Sequence, residues 1–291
     1  LLARAFSGRP VRVQWMRHDE HKWEPYGSAM VTRIKAGLDG EGNVLDWDYQ
    51  LWSTSHLTRP NNNAGNLLAG GVLAKAFPLP TPVNIGGPNY AADRNAIPMY
   101  EFPGQKVTTH FITSFAARAS STRALGAYAN VFSIESFVDE LAHRAKADPV
   151  EYRLRSLKNE RARAVLQKTA DMFGWSTWKK QPNHGRGIAY AMYKNLATHC
   201  AVALEVEVDR GSGQIKVLRA VSANDAGEIV SPDGVKNQIE GGIVQSLSWS
   251  LKEAVRFDDS GVLSEDWLSY PILTFSEVPE IEVELIDRPG Q

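Results

Sequence analysis

Two short stretches hold residues whose types and spacing could do chemistry. The first runs from Asn224 to Leu251, NDAGEIVSPDGVKNQIEGGIVQSLSWSL. It turns at Asp225-Ala226-Gly227, offers Ser231 as a helix N-cap with Pro232 at the first helical position, and predicts a helix to about Val255. On a 3.6-residue wheel Val235, Ile239, Ile243, Val244, Leu247 and Leu251 form one apolar arc that must face a core. Gln238, Gly241, Gly242, Gln245 and Trp249 fall on the other side. Two adjacent glycines inside a helix cost about 1 kcal/mol each against alanine, and a face turned to bulk water gains nothing from them. A ligand packed on the helix backbone and rimmed by amides accounts for the pattern; so does close contact with another helix or strand. The second stretch is Arg123-Ala124-Leu125-Gly126. Its arginine stands between a strand end and a helix start and offers a rigid fork of donors, while Gly126 permits close backbone approach. The alternative is an arginine tied to a neighbouring carboxylate.

Other reactive-looking groups fit plainer roles. His18 and His21 lie three apart in a polar segment with no third ligand in register, which speaks against a metal pair. Glu135, Asp139 and Glu140 have spacings that could pair acids on one helix face, but solvated helix charges are the simpler account. Cys200 sits in an alternating run and reads as a small buried hydrophobe. As the only cysteine in 291 residues it allows no internal disulfide and no iron–sulfur cluster held by this chain. Lys and Arg number 32 against 33 Asp and Glu, and no basic cluster is interleaved with aromatics, so nothing supports a nucleic-acid surface. No apolar run approaches the ~18 residues of a membrane span. The chain opens at Leu1 without methionine, inside what reads as a helix, and ends at Gln291 just after a strand. We expect a piece of a longer polypeptide.

The elements that must position these residues follow from periodicity. Leu1 to Ser7 reads as the end of a helix closed by Gly8, and Val11 and Val13 as a short strand into Trp15 that Arg17-His18-Asp19-Glu20 ends. Alternation over Met30 to Leu38 and Val44 to Trp52, around Asp39-Gly40-Glu41-Gly42, predicts a long hairpin. Ala201 to Val208 and Ile215 to Val221 repeat it around Asp209-Arg210-Gly211-Ser212-Gly213, a hint of duplicated subdomains. Leu57 to Asn95 is irregular, with a short helix over Leu67 to Ala76, and suits a structured loop or lid. Val107 to Phe111 is a strand. Three helices follow: Asn130 to Ala147, Pro149 to Leu157 with Asp148 as N-cap, and Ala162 to Phe173 stopped by Gly174. Ile188 to Met192, Asp266 to Thr274 and Ile281 to Ile286 complete the strands. The result is an α+β chain of antiparallel or mixed sheets with a helical connection, not a doubly wound fold.

Asp225, Gly227, Pro232, Gln238, Glu240, Gly241 and Gly242 together resemble the large subunit of the xanthine oxidase/aldehyde oxidase family of molybdenum hydroxylases. Gly8-Arg9-Pro10-Val11 through Trp15-Met16-Arg17, and Arg123 to Gly126 with Phe132 and Glu135 to Ala142, are similar to further motifs of that family. Trp23-Glu24-Pro25-Tyr26-Gly27 and Tyr193-Lys194-Asn195-Leu196 look closer to the molybdopterin-binding subunits of nicotinate and isoquinoline dehydrogenases. The resemblance spans essentially the whole chain. It implies a molybdenum cofactor-binding-domain fold of two related subdomains: 1–121 as the C-terminal part of the first, 122–180 as a helical connection, and 181–291 as the second without its C-terminal end. It implies molybdenum with molybdopterin, in the cytosine dinucleotide form, as cofactor of the full-length protein. Arg123, Gly126, Gln238, Gly241 and Gly242 become cofactor-binding residues and Leu125 a substrate-facing one. The implied chemistry is hydroxylation of an electron-poor carbon with water-derived oxygen, with a glutamate as general base and electrons leaving through iron–sulfur centres. The implied partners are a small-molecule substrate, a [2Fe–2S] small subunit and, in the three-component arrangement, a cytochrome c subunit. Either the cytoplasm or the periplasmic face of the inner membrane would suit such a bacterial complex.

Departures from the family pattern carry information too. Leu125 stands where purine-hydroxylating relatives have a phenylalanine, which implies an apolar wall without ring stacking. The substrate class it suggests is an N-heteroaromatic acid such as nicotinate, or a related heterocycle or aldehyde. Gln245-Ser246-Leu247-Ser248 replaces a glycine-bearing version and implies a bulkier wall. The family's glycine-rich loop would precede Leu1 and its general-base glutamate would follow Gln291. Glu277 and Glu280 lack the required glycine context, so no catalytic residue and no metal ligand is assigned within the chain. By itself the chain is expected to hold no cofactor and to be inactive. Arg59, Arg94 and Arg118 are the candidates for a substrate carboxylate. The competing reading is a binding or scaffold module that kept the fold and lost the cofactor; the hydrolase motifs G-x-S-x-G and H-E-x-x-H are absent.

Overall fold

Two single-turn helices, α1 (Leu2–Ala5) and α2 (Arg17–Glu20), open the computed structural model, which describes residues 2–58, 63–84, 91–114 and 118–290. The strand expected into Trp15 does not form. Val13 and Trp15 are exposed, and without a neighbouring strand their backbone groups have no ladder to join. Arg17 to Glu20 is helical instead.

The first hairpin follows the alternation of its residues. β1 (Met30–Leu38) and β2 (Val44–Ser53) pair antiparallel, and β2 buries Trp47, Tyr49 and Leu51 completely. Asp39 fixes the turn by accepting from the N–H groups of Glu41 and Asn43, with Gly42 at φ +83°. A short α3 (Leu68–Gly71), smaller than the helix expected there, lies in the loop that leads to β3 (Gly104–Phe111). β3 pairs with β2 in parallel. The helical connection is α4 (Ala127–Arg144), α5 (Pro149–Ser156) and α6 (Glu160–Phe173). Asp148 caps α5 by accepting from Val150 and Glu151, and Gly174 ends α6 at φ +74°.

The second half repeats the plan of the first. β4 (His184–Met192), β5 (His199–Val208) and β6 (Ile215–Asp225) are antiparallel neighbours, α7 (Pro232–Leu251) crosses over, and β9 (Glu280–Leu285) returns parallel to β6. A small hairpin of β7 (Phe257–Asp258) and β8 (Gly261–Val262) follows α7. The strand expected over 266–274 is absent: the Asp266 carboxylate accepts from Leu268 and Ser269 and folds that stretch into a turn. Each sheet thus contains a long antiparallel hairpin with one parallel strand beside it, and β4 adds a further antiparallel strand to the second. The chain is α+β, with two mixed-sheet halves joined by helices, as the periodicity predicts. One apolar core runs through both halves, from Trp47 and Leu51 through Val138, Val165 and Leu166 to Ala203 and Val221.

Where the halves meet, the reading of Glu135 and Asp139 as solvated charges is corrected. Arg153 is fully buried, and a guanidinium removed from water needs carboxylates around it. Its Nε donates to Glu135 Oε2 at 2.9 Å, its Nη1 to Asp139 Oδ1 at 2.7 Å and its Nη2 to the Glu135 carbonyl at 3.1 Å. Glu135 also accepts from Tyr100 Oη at 2.8 Å and from the Tyr190 N–H at 3.0 Å. Tyr100 belongs to the first half and Tyr190 to β4, so one carboxylate ties both halves to α4. Glu140 remains exposed. Cys200 lies along β5 with its Sγ 3.7 Å from Ser222 Oγ, and burial pushes its thiol up.

Candidate functional site

The helix with paired glycines is held by the turn before it. Asp225, fully buried at the end of β6, accepts from the guanidinium groups of Arg161 and Arg288 and from the Gly227 N–H at 3.1 Å. Burial pushes this carboxyl up, but the hydrogen bonds from Arg161, Arg288 and Gly227 prevail and hold it at about 2. Pro232 then starts α7, although the Ser231 side chain makes no capping bond. The apolar arc proves narrower than the wheel suggests. Ile243 and Leu247, with Ile239 beside them, pack on Val217 and Ala220, while Leu251 is exposed and Val244 lines a cleft. The helix stops at Leu251, short of Val255, because the Lys252 and Glu253 N–H groups both turn back to the Ser248 carbonyl.

Arg123 reaches this helix from an unusual turn. Ala124 and Leu125 have φ of 73° and 52°, left-handed values that strain residues with a Cβ. Gly126 then leads into α4. A Cβ there would lie 2.6 Å from the Ala91 carbonyl oxygen and also meet that of Ala92, so the close approach that Gly126 permits is made by the chain itself. The turn delivers the guanidinium onto α7. Nη1 donates to Gln245 Oε1 at 3.2 Å, and Nη2 lies 3.4 Å from the Gln238 carbonyl and 3.5 Å from Gln238 Oε1. Nη2 is also 3.6 Å from where a Gly242 Cβ would stand. Among the described residues Arg123 has no carboxylate partner. A Cβ on Gly241 would meet nothing within 4 Å.

Gly241 and Gln245 open onto a cleft of about 830 Å³, with Ser248 and Trp249 further along the helix. The opposite wall comes from Glu24, Pro25, Tyr26 and Gly27, which dock beside the segment that leads to Arg123. The Tyr26 N–H donates to the Arg118 carbonyl and the Ser120 N–H to the Tyr26 carbonyl, both at 2.8 Å. A Cβ on Gly27 would press on Thr122 Oγ1 at 3.3 Å. Arg17, His21, Trp267 and Tyr270 close the far end. Sequence reasoning missed this end, because its residues come from segments some 250 apart; the one available signal was the aromatic richness of 267–275.

The remaining candidate residues lie elsewhere. Leu125 is half-buried and is not in the wall of this cleft. Arg94 donates to Tyr193 Oη at 2.6 Å, and Arg118 donates to the Asn66 carbonyl beside a separate cleft of about 820 Å³. Arg59 lies outside the described residues. Tyr193 to Asn195 clips the halves together: the Asn95 side chain donates to the Met192 carbonyl and to Asn195 Oδ1, and accepts from the Lys194 N–H. Glu277 is bound by Lys252 and Thr274, whose hydrogen bonds hold it near 2, ill suited to a general base. Among the described residues no cluster of three or more His, Cys, Asp or Glu could hold a metal ion.

Comparison with known proteins gives this geometry a context. A family model described as molybdopterin cofactor-binding domain matches residues 104–279. The chain is similar to a nicotinate dehydrogenase subunit from Pseudomonas putida, with 40% identity over 99% of this chain and 24% of that protein. It is also similar to the beta subunit of isoquinoline 1-oxidoreductase from Brevundimonas diminuta, with 31% identity over 96% of this chain and 34% of that protein. The chain thus spans about a quarter to a third of the length of these relatives. Among solved structures, quinoline 2-oxidoreductase from Pseudomonas putida 86 superposes with a TM-score of 0.77 at 12% identity, covering 99% of this chain and 59% of that one; this likeness speaks to the fold.

Proposed function

The chain belongs to the molybdopterin cofactor-binding domain family, and we propose that it forms part of the molybdopterin-binding subunit of a molybdenum hydroxylase. The observation that carries the proposal is the meeting of Arg123 with Gln238, Gly242 and Gln245 beside the open backbone at Gly241. Its Arg123 bonds of 3.2–3.5 Å are at the weak end of hydrogen bonding, so oxygen ligands could displace them at little cost. A fork of guanidinium donors flanked by amides suits the oxo and phosphate oxygens of such a cofactor.

In this reading Arg123, Gln238, Gly241 and Gly242 hold the cofactor, and Gly126 fixes the turn that aims Arg123. When bound, the cofactor supplies the two-electron chemistry that places a water-derived oxygen on an electron-poor carbon. The chain's own part is positioning. Arg123 and the two amides orient ligand oxygens, Gly241 admits ligand atoms to the helix, and Leu125, which lies outside the cleft on the same turn as Arg123, offers an apolar side chain to a substrate that reaches past it. The cytosine dinucleotide form, a [2Fe–2S] partner subunit, a cytochrome c subunit, and a substrate that is an N-heteroaromatic acid such as nicotinate or an aldehyde belong to the same proposal. Its support is the similarity to the nicotinate and isoquinoline enzymes. So does the division into 1–121, 122–180 and 181–291. Among the described residues no helix is long and apolar enough to cross a membrane; a place at the cytoplasmic or periplasmic face of the inner membrane, as part of a bacterial complex, belongs to the same proposal.

Metal analysis of the full-length protein tests the proposal: stoichiometric molybdenum is expected, and a folded protein that purifies without it sinks the reading. Assays of the complete complex with nicotinate, isoquinoline, xanthine and benzaldehyde then rank the substrates. Turnover of xanthine far above the others would overturn the role given to Leu125.

A further inference from the structure

The cleft of about 820 Å³ beside Arg118 shares no lining residue with the one along α7, and the cofactor proposal does not use it. Its wall is a folded loop. The Gly65 N–H donates to the Asn63 side chain and the Phe77 N–H to the Gly70 carbonyl, both at 3.0 Å. Gly65 and Gly70 lie so close to the Pro78 and Ala64 carbonyls that neither has room for a Cβ. Arg118 is fixed on the facing side. Its carbonyl accepts from the Tyr26 N–H at 2.8 Å, and the next carbonyl, that of Ala119, accepts from Thr58 Oγ1. The half-buried guanidinium donates from Nη2 to the Asn66 carbonyl and makes no other hydrogen bond among the described residues.

The lining limits what could match these donors. Among its described residues there is no Asp or Glu, so the Arg118 charge is not balanced within the cleft. Thr81, Thr113 and Ser114 add exposed hydroxyls that are free of partners among the described residues. The rest is largely apolar, and Leu67, Phe77, Leu79 and Ile112 are all exposed there. A cation would meet a like charge. A phosphate dianion would find one guanidinium and no second cation in the lining. A carboxylate matches the single charge, fits the planar fork of donors and can accept from the hydroxyls as well. An apolar body attached to it would cover the exposed side chains.

We infer that this second cleft binds a small monocarboxylate with an apolar body, its carboxylate on Arg118 and its body against Leu67, Phe77 and Leu79. Calorimetric titration of the full-length protein with benzoate, hexanoate, benzamide and inorganic phosphate tests it. Saturable binding of an acid is expected, with benzamide, the neutral isostere of benzoate, at least about tenfold weaker. Arg118→Met keeps the apolar stem, removes the fork, and should weaken the acid about tenfold or more while leaving benzamide unchanged. Thr113→Asp leaves Arg118 and its bond to Asn66 in place, sets a like charge in the cleft, and should weaken the acid too. Arg123→Ala, which tests the cofactor reading, should bind benzoate as the unsubstituted protein does, so the two proposals fail separately. Nicotinate turnover, the one arm that rests on the proposed activity, identifies the source. A KM raised about tenfold at unchanged kcat in Arg118→Met marks the ligand as the substrate, and unchanged constants mark a separate acid. Absence of saturable binding by either acid, benzamide as tight as benzoate, phosphate displacing benzoate at equal concentration, or affinities unchanged in both cleft variants would overturn the assignment. A weaker benzoate affinity in Arg123→Ala would overturn the separateness of the site.

Discussion

Two arginines divide this molecule between them. Arg153 is wholly buried and makes bonds of 2.7 to 3.1 Å to Glu135 and Asp139 at the junction of the halves. Arg123 is exposed, reaches only amide and carbonyl oxygens at 3.2 to 3.5 Å, and leaves a strained turn to do so. The first is an arginine whose needs the fold has met. The second is held in place while its needs are only partly met. A protein that sought stability alone would not keep two left-handed non-glycine residues to aim a cation at a glycine. The contrast teaches that full satisfaction marks structure and deliberate under-satisfaction marks a place for something else.

The contrast breaks first if the buried arginine proves dispensable. Glu135→Ala strips Arg153 of its main partner and leaves a charge in the core. Removing one member of a buried pair costs about 3–5 kcal/mol, and Tyr100 and the Tyr190 N–H lose their acceptor as well. Urea unfolding should report a loss of that size. A change below about 1 kcal/mol would mean that water enters the junction and that Arg153 is no more structural than Arg123.

Asp225 sharpens the comparison from inside the site region, because it is a satisfied group that frames an unsatisfied one. Asp225→Asn keeps the shape but removes the charge between Arg161 and Arg288, and we expect a loss of about 3 kcal/mol. The pH dependence has a definite sign. The folded carboxyl is depressed to about 2 from an ordinary 3.8, so its stabilisation is complete above about pH 4 and disappears as pH falls through about 2. Acid unfolding of Asp225→Asn should therefore be shallower than that of the unsubstituted chain over this window. Equal slopes would show that the ion pair gives nothing.

Much of this was legible in the sequence, for physical reasons that also explain the gaps. The hairpins, the helix caps at Asp148 and Gly174, and the face of α7 carrying Gln238, Gly241 and Gly242 rest on local periodicity and turn chemistry, which act within a few residues. Arg123 could be singled out as a donor, yet its landing on Gly242 could not, because that contact spans more than a hundred residues. Glu135 looked like a surface charge because nothing local distinguishes it from Glu140; only the arrival of Arg153, Tyr100 and Tyr190 buries it. Val11 to Trp15 misled for the converse reason. Its pattern was right for a strand, and no partner strand was there.

Smaller in effect is the strained turn. Ala124→Gly relieves a left-handed alanine, worth about 1–2 kcal/mol in the folded state, against the greater unfolded-state freedom of glycine. A net gain of about 0.5–1 kcal/mol should appear in thermal unfolding. If the strain serves to aim Arg123, the same variant of the full-length protein should retain less molybdenum despite being more stable. A variant that gains stability and keeps its full molybdenum would reduce the turn to an accident of packing. Gly242→Val approaches the same contact from the helix side. It places branched bulk against Arg123 Nη2, 3.6 Å from the position of the first added carbon, and should lower molybdenum content more than it lowers stability.

The smallest expected change in stability belongs to Arg123 itself, and it bears most directly on the comparison. Arg123→Ala removes weak, exposed bonds that water can replace, so the unfolding free energy should move by no more than about 0.5 kcal/mol. In the full-length protein, by contrast, molybdenum content should fall several-fold, because the donors proposed to hold the cofactor oxygens are gone. Arg123→Lys separates charge from shape: an ammonium keeps the positive charge but not the planar fork. Partial retention in the lysine variant would assign the role to charge, and retention as low as in alanine would assign it to the paired N–H geometry. Full molybdenum in both variants would end the distinction between the two arginines, since an exposed guanidinium that neither stabilises the fold nor holds a ligand has no physical reason to be aimed at Gly242.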